Sequence, residues 1–576
     1  MQQTSLHQGS GRQACSQCQA AFENTEDDFT FYESLGVPPP RLCPECRFVR
    51  RLNERNARVL YKRNCDLTGR EIISPYHRNH PFPVYAADVW WGDEWDELSY
   101  GRDFDFSRPF FEQFAELLSV VPHQATFVIT GTLQNSDYTN CTGYCKNCYL
   151  IAEADHNEDC YYGNRLFFNT SMVDCSNCYE SELCYETINC IKCFNVRFSE
   201  YCQTCSDSAF LKNCIGCKNC IGCINQRQKQ YMIFNEQLAQ SEFEKRLGEM
   251  KLDTQSGIVR MREQVDAFFL TQPQRVLQNE HNQNSTGNHL YDSKNSAECF
   301  DCKDLEDCKW CAKVFSVRSS RDYTSWGDTA ELMYQCAACG DHSYGLKFCS
   351  TCTTNNANLE YCAHSTGSKD CFGCVGLRHK QHCIFNKQYS EEEYKELKAR
   401  IIEHMRSATL CSSGATEGQA GEYGEYFPKE LCPYAYNETI AMEYFPLTKE
   451  EALAKGYRWQ EPIDEMPDVE KTVPADRLPE TIAQVPDDIL NWAVTCQETK
   501  RPYRIMKREL EFYRQQNLPI PRLHPDVRHD RRQSRRAGAH LFSRTCAKCG
   551  KEMQTSFAPD WPEIVYCEEC YLKEVY

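Results

Sequence analysis

The sequence lacks the features that would place it in a membrane, outside the cell or on nucleic acid by charge alone. No apolar run is long enough to span a bilayer, and residues 1–13 contain no apolar segment of a signal peptide. Acidic residues outnumber basic ones, 82 to 64, and the net charge is -18. Global attraction to nucleic acid is therefore not expected, and we expect a cytoplasmic protein with no membrane contact.

Recognisable catalytic signatures are also missing. The sequence contains no G-x-S-x-G, no H-E-x-x-H, no phosphate-binding loop and no dinucleotide fingerprint. No cysteine is singled out as a nucleophile by a neighbouring motif. The sequence therefore favours binding over catalysis and indicates no small-molecule substrate.

Cysteine, in contrast, is abundant, with 39 among 576 residues. Without an export signal the reduced cell interior is the expected location, where such cysteines bind metal or remain buried thiols. The odd number also fits poorly with complete disulfide pairing.

Two sets of paired cysteines lie near the two ends of the chain. Two facing CxxC pairs supply four thiolates in a tetrahedron, as a closed structural zinc site requires. A redox CxxC pair is the competing interpretation, but each pair has a partner at zinc-ribbon distance. We predict about two structural Zn²⁺ ions, one per four-cysteine set. Their ligands are Cys15, Cys18, Cys43 and Cys46, and Cys546, Cys549, Cys567 and Cys570. Gly550 permits the tight turn after its pair.

The first fifty residues resemble small bacterial treble-clef or zinc-ribbon domains, through Phe31-Tyr32 and the motif Cys43-Pro-Glu-Cys-Arg47. A further copy appears 481 residues later, where Cys15 falls on Cys496. The other ligand positions become Thr499, His524 and Val527. We predict a degenerate finger that kept its fold and lost its metal. The alternative is that Cys496, His524 and His529 still bind a metal with outside help.

The middle of the chain is a repeated cysteine-rich block. Residues 141–223 contain fifteen cysteines, of which fourteen are separated by multiples of three, often with Asn or Asp before the cysteine. This spacing favours a β-solenoid of six- or twelve-residue rungs, with cysteines inside and Asn or Asp at left-handed corners. Shifting by 151 residues places Cys148 on Cys299 and Cys223 on Cys374. We call the copies the first lobe (136–230) and the second lobe (288–386), each followed by a candidate capping helix.

Three interpretations of the lobe cysteines remain open. They are buried thiols acting as small apolar groups, further zinc sites, or an iron–sulfur cluster. Neighbouring pairs such as Cys190/Cys193 with Cys202/Cys205 would form the zinc sites. The cluster would use Cys214, Cys217, Cys220 and Cys223.

Basic residues follow the knuckle of the first finger and recur in the degenerate finger. A basic helix beside a zinc knuckle can lie along phosphates, so these arginines are candidate nucleic-acid contacts. A solvated face, or ion pairs with the protein's own acidic groups, is the competing interpretation. The candidates are Arg47, Arg50, Arg51, Arg55, Arg58, Arg528, Arg531 and Arg532.

We expect a mixed, multidomain fold with terminal treble-clef and zinc-ribbon fingers around two duplicated β-solenoid-like lobes with capping helices. The predicted segments are a treble-clef finger (10–56), an aromatic α/β module (57–135), the first lobe (136–230), a helical connector (231–287), the second lobe (288–386), a helix (387–406), a wrapping segment (407–492), the degenerate finger (493–533) and a C-terminal zinc ribbon (534–576).

The tail from Arg544 to Tyr576 and the motif from Cys371 to Gln381 resemble cysteine-rich zinc-ribbon and treble-clef proteins found mostly in bacteria of the candidate phyla. The resemblance spans nearly the whole chain and implies no activity. Our first hypothesis is a zinc-binding scaffold that engages RNA, the ribosome or a protein partner. The alternatives are an iron–sulfur or thiol redox enzyme and a storage protein for soft metals.

Overall fold

The structure is a computed structural model that describes residues 12–407, 421–461, 468–536 and 538–575. The chain forms two compact units, each built from two separate stretches. Unit 1 contains Met1–Ala125 and Gln278–Gln460, and unit 2 contains Thr126–Leu277 and Glu461–Tyr576. The first lobe therefore belongs to unit 2 and the second lobe to unit 1. None of the described helices has the length and apolar character needed to cross a membrane.

Unit 1 combines short hairpins, a long parallel ladder and several helices. Its strands are Arg12–Ala14, Ala21–Glu23, Tyr61–Asn64, Glu71–Ser74, Val84–Tyr85, His123–Gln124, Gly287–Tyr291, Cys299–Glu306, Ala312–Arg318, Arg321–Glu331, Tyr334–Gly340, Ala357–Glu360, Lys369–Phe372, Cys383–Ile384 and Lys387–Gln388. Its α-helices are Glu26–Leu35, Pro44–Leu52, Ala87–Trp91, Phe110–Val120, Glu391–Arg406, Ala441–Tyr444 and Lys449–Ala454.

Unit 2 also combines a parallel ladder, short hairpins and helices, but its ladder comes first along the chain and its finger hairpins come last. Its strands are Thr139–Lys146, Ile151–Glu158, Asn164–Phe167, Ser176–Tyr179, Phe194–Arg197, Ser206–Ala209, Lys218–Ile221, Gln230–Ile233, Glu236–Gln237, Gln274–Arg275, Lys471–Pro474, Trp492–Thr495, Pro502–Tyr503, Phe542–Thr545, Glu552–Thr555 and Val565–Tyr566. Its α-helices are Gln240–Met250, Gln255–Leu270, Lys507–Gln515, Pro525–Ser534 and Glu568–Val575.

The first lobe is a parallel ladder in which each bridging residue pairs with the residue twelve positions later. Its repeating element is three residues long. Asn189 has φ 53°, Cys190 is fully buried, and Ile191 bridges to Gln203. The multiples-of-three cysteine spacing thus places one inward side chain in each three-residue element.

The left-handed positions of the first lobe include Asn and Asp but are not restricted to them. The seven predicted corner residues all have positive φ; they are Asn147, Asp159, Asp174, Asn177, Asn189, Asn213 and Asn219. Leu183, Phe198 and Tyr201 adopt the same conformation with φ between 53° and 56°. This conformation is costly for such residues in isolation. The ladder compensates through regular hydrogen bonds, such as that from Phe198 N to Tyr185 O at 2.9 Å.

The second lobe repeats this arrangement with one irregular stretch. Leu359 pairs with Cys371 in the twelve-residue register, whereas Tyr323 pairs with Cys336 and Ala337 with Ser350 in a thirteen-residue register. The extra residue accounts for the 13-residue separations from Cys336 to Cys349 and from Cys339 to Cys352.

Apolar cores outside the ladders attach helices to each lobe. In unit 1, Phe110 packs on Phe372 and Phe385 with ring centroids 5.5 and 5.3 Å apart. In unit 2, Met261 and Phe210 share an apolar cluster. The helix after the second lobe begins with a capping box, formed by Ser390 and Glu393, and buries Tyr394 against the same core.

Candidate metal centres

The N-terminal finger (residues 12–53) holds its four cysteines on a hairpin and a helix start. Cys15 and Cys18 lie in the turn between strands Arg12–Ala14 and Ala21–Glu23. Cys43 is the N-cap of helix Pro44–Leu52, and its Sγ accepts a hydrogen bond from Cys46 N at 3.5 Å. The hairpin and the helix N-terminus therefore bring two cysteine pairs together.

The spacing of these sulfur atoms fits a tetrahedral metal ion. All four Sγ atoms lie within 4.8 Å of one another, and Cys18 and Cys43 are 3.7 Å apart. A Zn–S bond of about 2.3 Å implies an S–S edge of about 3.8 Å in a regular tetrahedron. The hydrogen bond between Cys43 and Cys46 lowers the pKa of the Cys43 thiol to about 5 and raises that of Cys46, so one sulfur of this pair is favoured as the thiolate that a metal requires.

The C-terminal finger (residues 538–575) meets the same test. Its four Sγ atoms lie within 4.8 Å of one another, and those of Cys549 and Cys567 are 3.8 Å apart. Burial alone would raise the pKa of Cys546, but backbone N–H groups, led by that of Cys567 at 3.2 Å, lower it to about 6. Gly550 has φ 73°, the left-handed turn expected after the first pair.

The degenerate finger keeps the elements of the N-terminal finger without its ligand set. Strands Trp492–Thr495 and Pro502–Tyr503 and helices Lys507–Gln515 and Pro525–Ser534 follow in the same order. Cys496 is fully buried in an apolar cluster, with Val527 packed against that cluster. Within the described ranges, the only groups of three or more possible ligands are the two four-cysteine sets, so Cys496, His524 and His529 do not form one.

A further hairpin of this type was not expected from the sequence. Residues 61–91, which we call the internal finger, place Cys65 in the turn between strands Tyr61–Asn64 and Glu71–Ser74. Cys65 and Gly69 precede Cys546 and Gly550 by 481 residues, the same shift that relates the first and degenerate fingers. The shift of 481 residues was the sequence signal that could have revealed this hairpin. At that shift, however, only Cys65 matches a ligand cysteine of the C-terminal finger.

Two of the candidate nucleic-acid arginines of the N-terminal finger are buried in unit 1. Arg47 Nε and Arg51 Nη1 each lie 2.9 Å from a carboxylate oxygen of Asp322, a left-handed residue of the second lobe. The guanidinium of Arg47 also lies 4.7 Å from the ring centroid of Trp310. These two side chains dock the finger helix onto the ladder and are closed to a phosphate.

Unit 2 contains the same arrangement around the degenerate finger. Arg528 and Arg532 both pair with Asp174 of the first lobe, the latter at 2.7 Å. The guanidinium of Arg528 lies 4.7 Å from the ring centroid of Tyr162. All three charged side chains are at most 5 % exposed, so Arg528 and Arg532 are likewise no longer candidates for nucleic-acid contacts. We call each group of two arginines and one aspartate an arginine clamp.

The remaining candidate arginines are closer to the surface. Arg50 lies 3.5 Å from Glu425, and the exposed Arg531 pairs with Glu498. Arg55 and Arg58 are half-buried. Nucleic-acid binding by these four residues stays a prediction.

Most of the lobe cysteines whose pKa is shifted have the chemistry of protonated thiols, whereas hydrogen bonds with neighbouring cysteines lower the pKa of Cys217 and Cys223. Burial raises the pKa of Cys184 and of Cys202 well above the usual thiol range. The Sγ of Cys184 lies 3.3 Å from the carbonyl oxygen of Glu182, to which the thiol can donate. Across the part of the chain that the structure describes, no lobe contributes three sulfur atoms within 4.8 Å of one another. Cys214, Cys217, Cys220 and Cys223 therefore do not form a site for a single metal ion, and an iron–sulfur cluster on these four residues stays a prediction.

One of the fingers, the C-terminal finger, matches a known family model. Residues 540–575 match the family model described as "Probable treble clef zinc finger". No curated protein matches. One solved structure, provisionally described as an acetyltransferase from Desulfovibrio desulfuricans G20, is 8% identical over 51% of this chain and 75% of that chain. Its TM-score of 0.09 carries no structural argument. The chain thus has a treble-clef-like C-terminus and two candidate metal centres.

Proposed function

We propose that the chain is a non-catalytic, zinc-binding scaffold. The observation that carries this proposal is the pair of four-cysteine sets, with sulfur–sulfur distances of 3.7 and 3.8 Å that suit a tetrahedral ion. Cys15, Cys18, Cys43 and Cys46 would hold one Zn²⁺, and Cys546, Cys549, Cys567 and Cys570 the other. When bound, an ion with four protein ligands cross-links its finger and has no open position for a substrate.

We further propose that each lobe is a β-solenoid that provides the rigid body of the scaffold. The twelve-residue parallel register and the positive φ at every third position support coils with four corners. Buried cysteines suit the narrow interior because a thiol is small, weakly polar and able to donate to a nearby carbonyl. In the part of the chain that the structure describes, no lobe brings three sulfur atoms within 4.8 Å of one another, which argues against storage of single soft-metal ions in the lobes.

A reducing location is part of the proposal. None of the cysteines in the described ranges forms a disulfide, including the many that share a lobe interior. Such a chain suits the cytoplasm, where thiols stay reduced. The proposal names no nucleic-acid partner, because the arginine clamps use four of the arginines that suggested one.

The test is metal content in the full chain and in three single variants. Wild type should hold about two Zn²⁺ ions, one per four-cysteine set. Cys18→Ser and Cys549→Ser should each lose one ion, because each removes an exposed ligand of a different set. Cys141→Ser is the matched control, since Cys141 is only partly buried and belongs to neither set.

Mass spectrometry of metal content after gel filtration measures all four proteins. A wild-type chain with no zinc, or a Cys18→Ser variant that keeps every ion, would refute the assignment. Loss of zinc from the Cys141→Ser control would instead locate a ligand in the first lobe.

A further inference from the structure

The internal finger reproduces the turn geometry of the metal-binding C-terminal finger. Cys65 N donates to Arg70 O at 2.8 Å, and Gly69 N donates to Cys65 O at 2.8 Å. In the C-terminal finger the corresponding bonds run from Cys546 N to Lys551 O at 2.8 Å and from Gly550 N to Cys546 O at 2.9 Å. Gly69 and Gly550 share a φ of 73°. The two turns therefore have the same local backbone.

The second half of the internal finger matches as well. Strand Val84–Tyr85 leads into helix Ala87–Trp91, as strand Val565–Tyr566 leads into helix Glu568–Val575. Ala86 N donates to Cys65 Sγ at 3.4 Å, where Cys567 N donates to Cys546 Sγ at 3.2 Å. At a constant shift of 481 residues, the four ligand positions become Cys65, Thr68, Ala86 and Val89.

Apolar packing occupies the place that a metal would take. Cys65, Ala86 and Val89 are 1%, 2% and 7% exposed and belong to one apolar cluster with Tyr85 and Trp90. Burial raises the pKa of Cys65, but a hydrogen bond from the Thr68 side chain and backbone N–H groups reverse the shift and lower it. The surroundings of the remaining sulfur thus still favour a thiolate.

The degenerate finger shows the same features. It keeps Cys496 at the first ligand position, has Thr499 at the second and has Val527 at the fourth. The Thr499 side chain and backbone N–H groups likewise outweigh burial and lower the pKa of Cys496. A Cys-x-x-Thr turn with apolar packing therefore replaces the metal in both fingers.

We propose that residues 61–91 are a metal-free zinc finger with a latent tetrahedral site for a soft divalent ion at Cys65, Thr68, Ala86 and Val89. Cysteines at positions 68, 86 and 89 would complete this site together with Cys65. The backbone of the internal finger already places these four positions as the C-terminal finger places its four ligand positions. In the native chain this finger holds no ion, because one thiolate cannot retain Zn²⁺.

The experiment places T68C/A86C/V89C in the full chain and compares its metal content with wild type measured in parallel. The variant should hold about one more Zn²⁺ than wild type, since one four-thiolate set binds one ion. Loading with Co²⁺ should increase the visible absorption of tetrahedral cobalt thiolate by about half, from two sites to three. The matched control, T68S/A86S/V89S, changes the same positions without adding thiols and should gain no ion.

A folded T68C/A86C/V89C variant with the wild-type number of ions would overturn the proposal. If sulfur atoms in the apolar cluster prevent folding of T68C/A86C/V89C, the metal content of T499C/H524C/V527C in the degenerate finger is the second test. One additional ion there supports a latent site in metal-free fingers of this chain, and none in a folded protein contradicts it. A wild-type chain without zinc would instead count against the proposed function, so the two failures are distinguishable.

Discussion

The two units pair a metal-binding finger with a metal-free finger, but in opposite order. In unit 1 the N-terminal finger brings four cysteines together and the internal finger that follows keeps Cys65 alone. In unit 2 the degenerate finger comes first and the C-terminal finger carries the complete set. A finger without the complete ligand set therefore occurs in the second position of unit 1 and in the first position of unit 2.

The arginine clamps attach the first finger of each unit to its lobe, both where the ligand set is complete and where it is not. Asp322 binds the helix of a metal-binding finger, and Asp174 binds the helix of a metal-free one. The geometry is the same in both units, including an aromatic ring 4.7 Å from one guanidinium. Docking to the ladder thus includes the same buried charge pairing in both units, in a finger with a complete ligand set and in one without it.

The largest expected effect is removal of the clamp carboxylate. Asp322→Ala should destabilise unit 1 by about 3–5 kcal/mol, because it leaves two buried guanidinium groups without a counter-charge. Asp174→Ala should destabilise unit 2 by less, because Arg532 loses its partner but Arg528 keeps Glu509 at 3.9 Å. Hydrogen exchange resolved by unit measures the effect. Asp304→Ala is the control, since Asp304 pairs with Arg318 at the surface, where the expected loss is about 0–1 kcal/mol. Equal losses for Asp304→Ala and Asp322→Ala would contradict this account.

A smaller difference should appear on acidification of unit 1. Burial lowers the pKa of His80 and of His364 to about 4, from an ordinary value near 6.5. Between these values the unfolded chain binds protons that the folded unit does not, so stability present above pH 6.5 falls as the pH drops towards 4. His364→Gln should reduce this dependence in unit 1 and leave that of unit 2 unchanged. An unaltered pH profile of unit 1 would show that His364 does not contribute.

The smallest expected effect concerns single ladder thiols. Cys202→Ala in the first lobe and Cys349→Ala in the second each remove one fully buried sulfur, at a cost of about 1 kcal/mol. Neither should change the metal content, because neither residue belongs to a four-cysteine set. Thermal unfolding and metal analysis of the two variants provide the comparison. Loss of an ion from either one would assign a metal to that lobe.

Residue chemistry determined how far the site could be predicted from the sequence. The eight ligand cysteines were identified because the thiol supplies both the motif and the metal donor. The internal finger was missed because Thr68, Ala86 and Val89 are not ligands and carry no motif. Arg47 was a candidate nucleic-acid contact, with an ion pair to the protein's own acidic groups as the competing interpretation. The structure shows that ion pair, but the sequence does not indicate that the partner is Asp322, 275 residues away.

The fold was predictable where the pattern was local. The lobe cysteines are spaced by multiples of three residues, and this spacing matches the three-residue element of the ladder. The capping box at Ser390 is a signal within four consecutive residues. The division of the chain into two units was not predictable from the sequence. Each unit combines two stretches that are separated along the chain by a stretch of the other unit. The association of the two stretches in a unit depends on packing between segments that are distant in sequence, and no local sequence pattern predicts it.

The most direct test of this account is hydrogen exchange of the four fingers before and after removal of metal by a chelator. We expect residues 12–53 and 538–575 to lose protection, because each finger would lose the ion that cross-links it. Residues 61–91 and 493–533, together with both lobes, should keep their protection. Loss of protection in all four fingers or in the lobes would contradict the division between metal-bound and metal-free fingers.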